Sequence, residues 1–381
     1  MKICYVTTVP ITLEAFVLPT LRYIHEHTDW EICVMSDEDP EFAQRLPEYI
    51  RYLPVSMKRG ISLSGIGAIA KMVKIFRREK FDLVQYSTPN ASLYASMAAK
   101  MAGIPVRLYC QWGMAFVGFS GWKRGVFKTI EKLVCRLSTW VEPDSLGNLK
   151  FSHQEGLYPE DKGSVVWNGS ASGVNLEKFD ISQKEVWRGK IRSQYGIPEN
   201  AFVYGFIGRI TGEKGINELF AAYRRIAQDR DAYLMLVGFM EKADSVDAQL
   251  YEWAQNQEKI LFCDYTKVVE QYMATMDVYI LPSYREGFGS AVVEAEAMGV
   301  PVIVSDIPGP TDAMVRDRTG LVVKKADVDS LYEAMLRMKD DDDLRTRCGE
   351  EARKFARENF EQQQLFAHIL EDRKRLLDGR R

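Results

Sequence analysis

Paired cysteines are missing from this chain. Its six cysteines, Cys4, Cys33, Cys110, Cys135, Cys263 and Cys348, are scattered, form no CxxC and do not cluster with the four histidines. That excludes a disulfide scaffold and a zinc-finger-like site. Long apolar runs are missing too: the longest uncharged stretches, 83–99 and 108–122, are broken by Gln, Asn, Ser, Pro or Gly. Neither reaches the roughly 20 apolar residues of a spanning helix. The opening MKICYVTTVP has one lysine and a short β-branched run where an export signal has an apolar stretch, so a cytoplasmic chain is expected. No charge of one sign dominates, with 50 Lys and Arg against 53 Asp and Glu, and nucleic acid is not an expected partner. No glycine precedes Gly60, so the GxGxxG turn of a dinucleotide site cannot follow the first strand.

What is present is the composition of a globular protein, 46% hydrophobic and 27% charged over 381 residues, enough for two domains. Short apolar runs alternate with amphipathic ones: 2–6, 13–25, 30–35, 66–76, 81–85, 92–101, 106–109 and 125–137. This βαβ rhythm predicts α/β architecture with a parallel sheet covered on both faces. The stretch 141–158 has no clear period. Residues 163–179, GSVVWNGSASGVNLEKF, have loop composition. A second βα series follows, with strands near 202–207, 232–237, 259–262, 278–282 and 302–305 and helices near 215–228 and 289–298. Two tandem Rossmann-like domains are therefore expected. We set them at 1–168 and 169–358, with 359–381 a terminal helix returning to the first domain. Leu331, Met335, Leu344, Phe355, Phe360, Phe366 and Leu370 are candidate buried positions.

Two segments of the second domain carry chemistry. After strand 202–207 comes Gly208-Arg209-Ile210-Thr211-Gly212-Glu213-Lys214-Gly215 and then a helix. An Arg fork, a Lys point charge and a helix start suit phosphate oxygens, although a solvated turn has the same composition. After strand 278–282 comes Ser283-Tyr284-Arg285-Glu286-Gly287-Phe288-Gly289-Ser290-Ala291-Val292-Val293-Glu294. At ~1.5 Å per residue the two glutamates would stand roughly 12 Å apart along a helix. That is too far for the paired carboxylates of glycoside hydrolysis. They suit opposite ends of one extended ligand such as a nucleotide sugar, with Gly287 and Gly289 admitting close approach and the amides of Ser290 and Ala291 free at the helix start. Asp37-Glu38-Asp39 is a DxD that could hold a divalent cation, but it reads better as a turn before Pro40.

The run REGFGSAVVEAEAMGVPVIVSD resembles the Glu-x7-Glu signature of retaining GT-B glycosyltransferases, family 4 type. Asn168-Gly169, 174–179, Gly208-Arg209 with Lys214-Gly215, and 306–322 fall in the matching order. The resemblance implies a GT-B fold with a C-terminal crossover helix. It implies that Arg209 and Lys214 bind the donor diphosphate without a metal or other cofactor, and that Gly208, Gly287, Phe288, Gly289, Ser290 and Ala291 line the donor. Glu294 would hold the ribose, and Glu286 would act beside the reacting carbon. The implied activity is α-retaining transfer from a nucleotide sugar, by family lean a UDP-sugar. The acceptor would be a saccharide, in the envelope-polysaccharide subset a lipid-diphosphate-linked one. An epimerase or phosphorylase of the same fold, or a non-catalytic subunit of an assembly complex, is the alternative. The chain departs from many members of the family at Thr7-Thr8-Val9-Pro10-Ile11-Thr12, where they have a glycine-rich loop, and at Gln111-Trp112-Gly113, where they have a histidine.

Charge is unevenly spread. Residues 51–136 hold fifteen cations against three carboxylates, a net +12 that leaves −15 on the rest. With the aromatic run 112–124 leading into Lys123-Arg124, this suits an anionic membrane surface, and equally a buried active-site loop beside a solvated basic face.

Overall fold

The structure is a computed structural model that describes residues 1–57, 64–229, 231–241 and 245–379. Lys58 and Arg59 of the basic segment lie outside the described residues. The chain divides into two compact units, Met1–Ser172 with Gln363–Arg381, and Gly173–Gln362. Each crossing falls four residues beyond its expected place at 168 and 358. The reason is a backbone tie: Val174 donates to the Phe360 carbonyl (2.8 Å) and accepts from the Gln362 N–H (3.0 Å), so both crossings are stitched together inside the second unit.

In the first unit, β1 (Lys2–Val6), β2 (Glu31–Met35), β3 (Ile50–Tyr52), β4 (Leu83–Tyr86), β5 (Val106–Gln111) and β6 (Trp140–Pro143) form one parallel sheet in the order β3-β2-β1-β4-β5-β6. Side chains alternate between its faces. Cys4, Cys33, Val84 and Tyr86 pack with helices Ser64–Glu79, Pro89–Ala102 and Gly121–Leu137 on one face. Ile3, Tyr5, Ile32 and Leu83 pack on the other with helices Pro10–Phe16, Leu18–His27 and Gln362–Asp378. Burial on both faces explains the near-continuous apolar strands. All six cysteines are buried thiols.

Local chemistry adjusts the sequence reading. The helix expected over 13–25 is two, broken at Val17, because Pro19 in the first turn of the second helix has no N–H to continue the first. The helix expected from 125 begins at Gly121. The unassigned stretch holds β6 and helix Leu146–Gln154, whose first turn is capped by the Ser145 hydroxyl accepting from the Asn148 N–H (3.1 Å). Asp39 of the DxD caps helix Pro40–Arg45 in the same way, accepting from the Phe42 N–H at 2.9 Å.

The second unit repeats the plan with β7 (Phe202–Ile207), β8 (Ala232–Val237), β9 (Ile260–Cys263), β10 (Val278–Leu281), β11 (Val302–Ser305) and β12 (Gly320–Val323), ordered β12-β11-β10-β7-β8-β9. Both sheets have the strand order of the doubly wound dinucleotide-binding fold. Six of the seven expected core positions of the terminal helices are buried, and Phe355 is partly so.

The terminal helix is held to the first sheet by more than Leu370 and Leu377. Arg373 is 1% exposed, forms an ion pair with Glu142 of β6 through both terminal guanidinium nitrogens, and donates from Nε to the Gln85 side-chain oxygen of β4 at 3.1 Å. Burial alone would lower its pKa, but Glu142 holds it well above the usual arginine value. Removing one member of a buried pair strands the other charge. We therefore expect Arg373→Ala to destabilise the first unit by about 3–5 kcal/mol, read from urea unfolding. A loss below about 1 kcal/mol, typical of an exposed pair, would contradict this role.

Candidate active site

In the second sheet β7 and β10 are neighbours, yet the chain leaves them in opposite directions, towards β8 on one side and β11 on the other. Diverging connections leave a crevice at the carboxyl ends of two such strands, where open α/β sheets bind ligands. The Gly208–Gly215 segment follows β7 and the 282–289 segment follows β10. The Tyr284 N–H donates to the Glu213 carbonyl at 2.9 Å, tying one loop to the other. Gly215 has a φ of +72°, and a Cβ there would sit 2.1 Å from the Pro282 carbonyl oxygen, so no side chain fits. At Gly309 (φ +95°), which backs the second loop, a Cβ would likewise sit 1.9 Å from the Gly287 carbonyl oxygen.

Charges face each other across this seam. Lys214 Nζ lies 2.6 Å from Glu286 Oε1, which also accepts from the Ser283 hydroxyl at 2.7 Å. Arg285 pairs with Glu213 at 2.8 Å. Arg209 pairs with the other Glu213 oxygen at 3.2 Å and with Glu241. Burial works against ionisation of Glu213, but Arg285, Arg209 and Lys214 hold its pKa below the usual carboxylate range. The structure thus brings Lys214 against Glu286, and Arg209 against the Glu213 that Arg285 also binds. It adds Glu213, Glu241, Ser283 and Arg285, which the sequence reading had not assigned. Their signal was the complementary order Glu-Lys at 213–214 against Arg-Glu at 285–286, visible only once the strand order is known.

The remaining expected positions divide. Gly208 follows β7 directly, its N–H bound to the Val237 carbonyl (2.9 Å). Gly287 lies in the second loop, and Gly289, at φ +87°, is the N-cap of helix Ser290–Ala297 without a side-chain cap. The amides of Ser290 and Ala291 therefore stand in the first turn, among those a helix cannot satisfy internally. Phe288 is 3% exposed and its ring packs 5.1 Å from Phe360. Its side chain is core, which leaves only its backbone for a ligand. Glu294 is partly buried in the helix. Burial pushes its pKa up to about 7, with Lys178 opposing and Glu270 reinforcing the shift. Glu270 is buried, with Lys178 3.8 Å away. Glu296, two residues on, is fully buried, and burial raises its pKa well above the usual carboxylate value.

In the first unit, Gln111 is turned inward. Its amide nitrogen donates to Glu131 at 2.6 Å and its oxygen accepts from Ser152 at 2.8 Å, while Tyr109 donates to the same Glu131 oxygen at 2.8 Å. The aromatic run 112–124 splits: Met114 and Phe116 are core, whereas Trp122 is 75% exposed on the first turn of its helix. Among the described residues no group of His, Cys, Asp and Glu is placed to hold a metal ion.

Each unit carries the doubly wound sheet of the GT-B class. The family profile described as "Glycosyl transferases group 1" matches residues 188–355, and "Glycosyl transferase 4-like" matches residues 2–142. The capsular polysaccharide biosynthesis glycosyltransferase CapM of Staphylococcus aureus is 28% identical over 89% of this chain and 88% of its own length. The UDP-Gal:alpha-D-GlcNAc-diphosphoundecaprenol alpha-1,3-galactosyltransferase of Escherichia coli is 24% identical over 82% and 81%. In fold, HepE from Anabaena, solved in complex with UDP, superposes with a TM-score of 0.78 over 98% of this chain and 100% of its own, at 21% identity. Between them the two glycosyltransferase profiles match most of both units, and the chain is a glycosyltransferase of the GT-B type.

The raised pKa of Glu294 has a consequence for stability. Between about pH 4.5 and 7 the folded chain keeps a proton that the unfolded chain releases. The stability this group contributes is complete below pH 4.5 and is lost as pH rises through 7. Glu294→Gln should therefore gain stability over wild type with rising pH, by about 2–3 kcal/mol between pH 4 and pH 8. A wild-type-to-variant difference that stays constant with pH in urea unfolding would contradict the assignment.

Proposed function

We propose that this glycosyltransferase moves a sugar from a UDP-sugar to a saccharide linked to a lipid diphosphate, with retention at the anomeric carbon and without a metal ion, in surface-polysaccharide synthesis. The observation that carries the reading is the convergence of Lys214, Arg209 and Glu286 at the β7/β10 crevice. The names of the two relatives and the UDP held by HepE support the polymer, the lipid diphosphate and the nucleotide.

In the step, the bond from the anomeric carbon to the diphosphate oxygen breaks and a bond to the acceptor hydroxyl oxygen forms on the same face. The acceptor proton passes to the departing diphosphate. Arg209 and Lys214 neutralise the negative charge that grows on the leaving group. Glu286, released from Lys214 by the diphosphate, holds donor-sugar hydroxyls and stabilises the positive charge at the anomeric carbon. Glu294 accepts from the ribose hydroxyls, and the amides of Ser290 and Ala291 favour the anion.

The acceptor would be met at a membrane face. On helix Gly121–Leu137, Trp122, Val126 and Leu133 are exposed at helical spacing, with Lys123, Lys132 and Arg136 exposed beside them. Apolar side chains that enter a headgroup layer between cations are the pattern of an interfacial helix. Among the described residues no helix is long and apolar enough to cross a membrane.

The test combines UDP-sugars with a lipid-diphosphate saccharide in anionic vesicles, with excess EDTA. We expect UDP release, an α-linked product by NMR, co-sedimentation with the vesicles at low salt, and a loss of about a hundredfold or more in kcat for Glu286→Ala. A β-linked product, dependence on added metal, or wild-type turnover by Glu286→Ala would each overturn the corresponding part.

A further inference from the structure

The Glu213 carboxylate is divided between two guanidinium groups: one oxygen takes Arg209 at 3.2 Å and the other takes Arg285 at 2.8 Å. It stands where an anion with several oxygens would be gripped from two sides. Arg285 also keeps a donor in reserve, because its Nε is buried with no hydrogen-bond partner. A buried N–H left unpaired is costly and is satisfied by any acceptor that reaches it. The backbone that carries Arg285 is fixed by its neighbour Tyr284, whose N–H binds the Glu213 carbonyl and whose hydroxyl binds Glu218 at 2.6 Å. Arg209, for its part, has a second carboxylate in Glu241. Glu213 can therefore withdraw from Arg209 without leaving that cation unpaired.

We infer that Arg285 is a third cation of the diphosphate subsite, and that Glu213 is its counter-ion in the ligand-free protein, displaced when a nucleoside diphosphate enters. The inference rests on the reading of this crevice as the nucleotide-sugar site. A phosphoryl group has three oxygens and more charge than a carboxylate, and a planar guanidinium can grip two of them. Arg285 thus binds the phosphate oxygens that Glu213 now mimics, and the Nε proton gains its acceptor. A lipid-linked acceptor also carries a diphosphate. Because Glu213 is shared with Arg209, the donor diphosphate is the one assigned to Arg285.

The experiment is calorimetric titration of UDP, UMP and uridine into wild-type protein and into Arg285→Ala, Arg285→Lys and Glu213→Gln, with the GDP series run in parallel. Loss of a charge-assisted contact should weaken UDP binding to Arg285→Ala about ten- to a hundredfold, UMP less, and uridine not at all. Retained uridine binding shows that the variant's pocket is folded. Arg285→Lys should fall between. Glu213→Gln should bind UDP at least as tightly as wild type, because the competing charge is gone. Equal losses for UDP and uridine, unchanged UDP binding in Arg285→Ala, or weaker UDP binding in Glu213→Gln would overturn the assignment in favour of a purely structural seam. An effect confined to the KM of a lipid-diphosphate acceptor would overturn the donor assignment and move Arg285 to the acceptor. Failure of the wild-type protein to bind either nucleotide would instead overturn the donor-site reading itself, and this inference with it.

Discussion

Lys214 and Glu286 stand 72 positions apart in the chain, and their contact depends on one constraint, the adjacency of β7 and β10. A parallel strand cannot return directly to its neighbour, so the chain builds β8 and β9 on one side before it pairs β10 with β7. That detour places two outgoing loops side by side with nothing between their carboxyl ends. Gly215 seals the seam by letting one loop lie against the Pro282 carbonyl. The Lys214–Glu286 and Arg285–Glu213 pairs of the candidate site follow from this arrangement.

The charges at the crevice are balanced before any ligand arrives. Three cations, Arg209, Lys214 and Arg285, meet three carboxylates, Glu213, Glu241 and Glu286. Leaving a buried charge without a counter-ion is costly, and Lys214 and Glu286 are only 17% and 13% exposed. Built-in carboxylates offset these cations, and in the proposed mechanism an incoming diphosphate exchanges one set of oxygens for another. On that proposal the carboxylate that leaves Lys214 is Glu286, so binding of the leaving group would free the side chain proposed to act at the anomeric carbon, and one ion pair would couple recognition to chemistry. In the first unit buried polar groups serve packing: Glu142 secures Arg373 of the terminal helix, and Glu131 secures Gln111.

Most strands and the two loops after β7 and β10 were legible in the sequence because both rest on local signals, β-branched runs and glycine-flanked charges before a helix, whereas β6 and β12 were not anticipated. The break at Val17 was equally local, but the helical periodicity over 13–25 concealed the effect of Pro19. β3 spans three residues with Arg51 exposed, too short to show alternation. Roles set by non-local packing were hidden. Phe288 reads as a site residue between two glycines, yet its ring finds Phe360 in the core. Gln111 reads as a departure from a family histidine. Two residues after Tyr109 on one strand, it shares that residue's face and its partner Glu131. Glu213 and Arg285 acquire a role only when the strand order brings their loops together.

The most direct test of the account is calorimetric titration of UDP and GDP, without metal, into wild-type protein and into the Arg209→Ala/Lys214→Ala double variant. The account predicts that one nucleotide binds wild type with micromolar affinity and that the double variant, still folded by circular dichroism, does not bind it. Binding of equal strength to both proteins would contradict the claim that these two cations at the β7/β10 crevice receive the diphosphate.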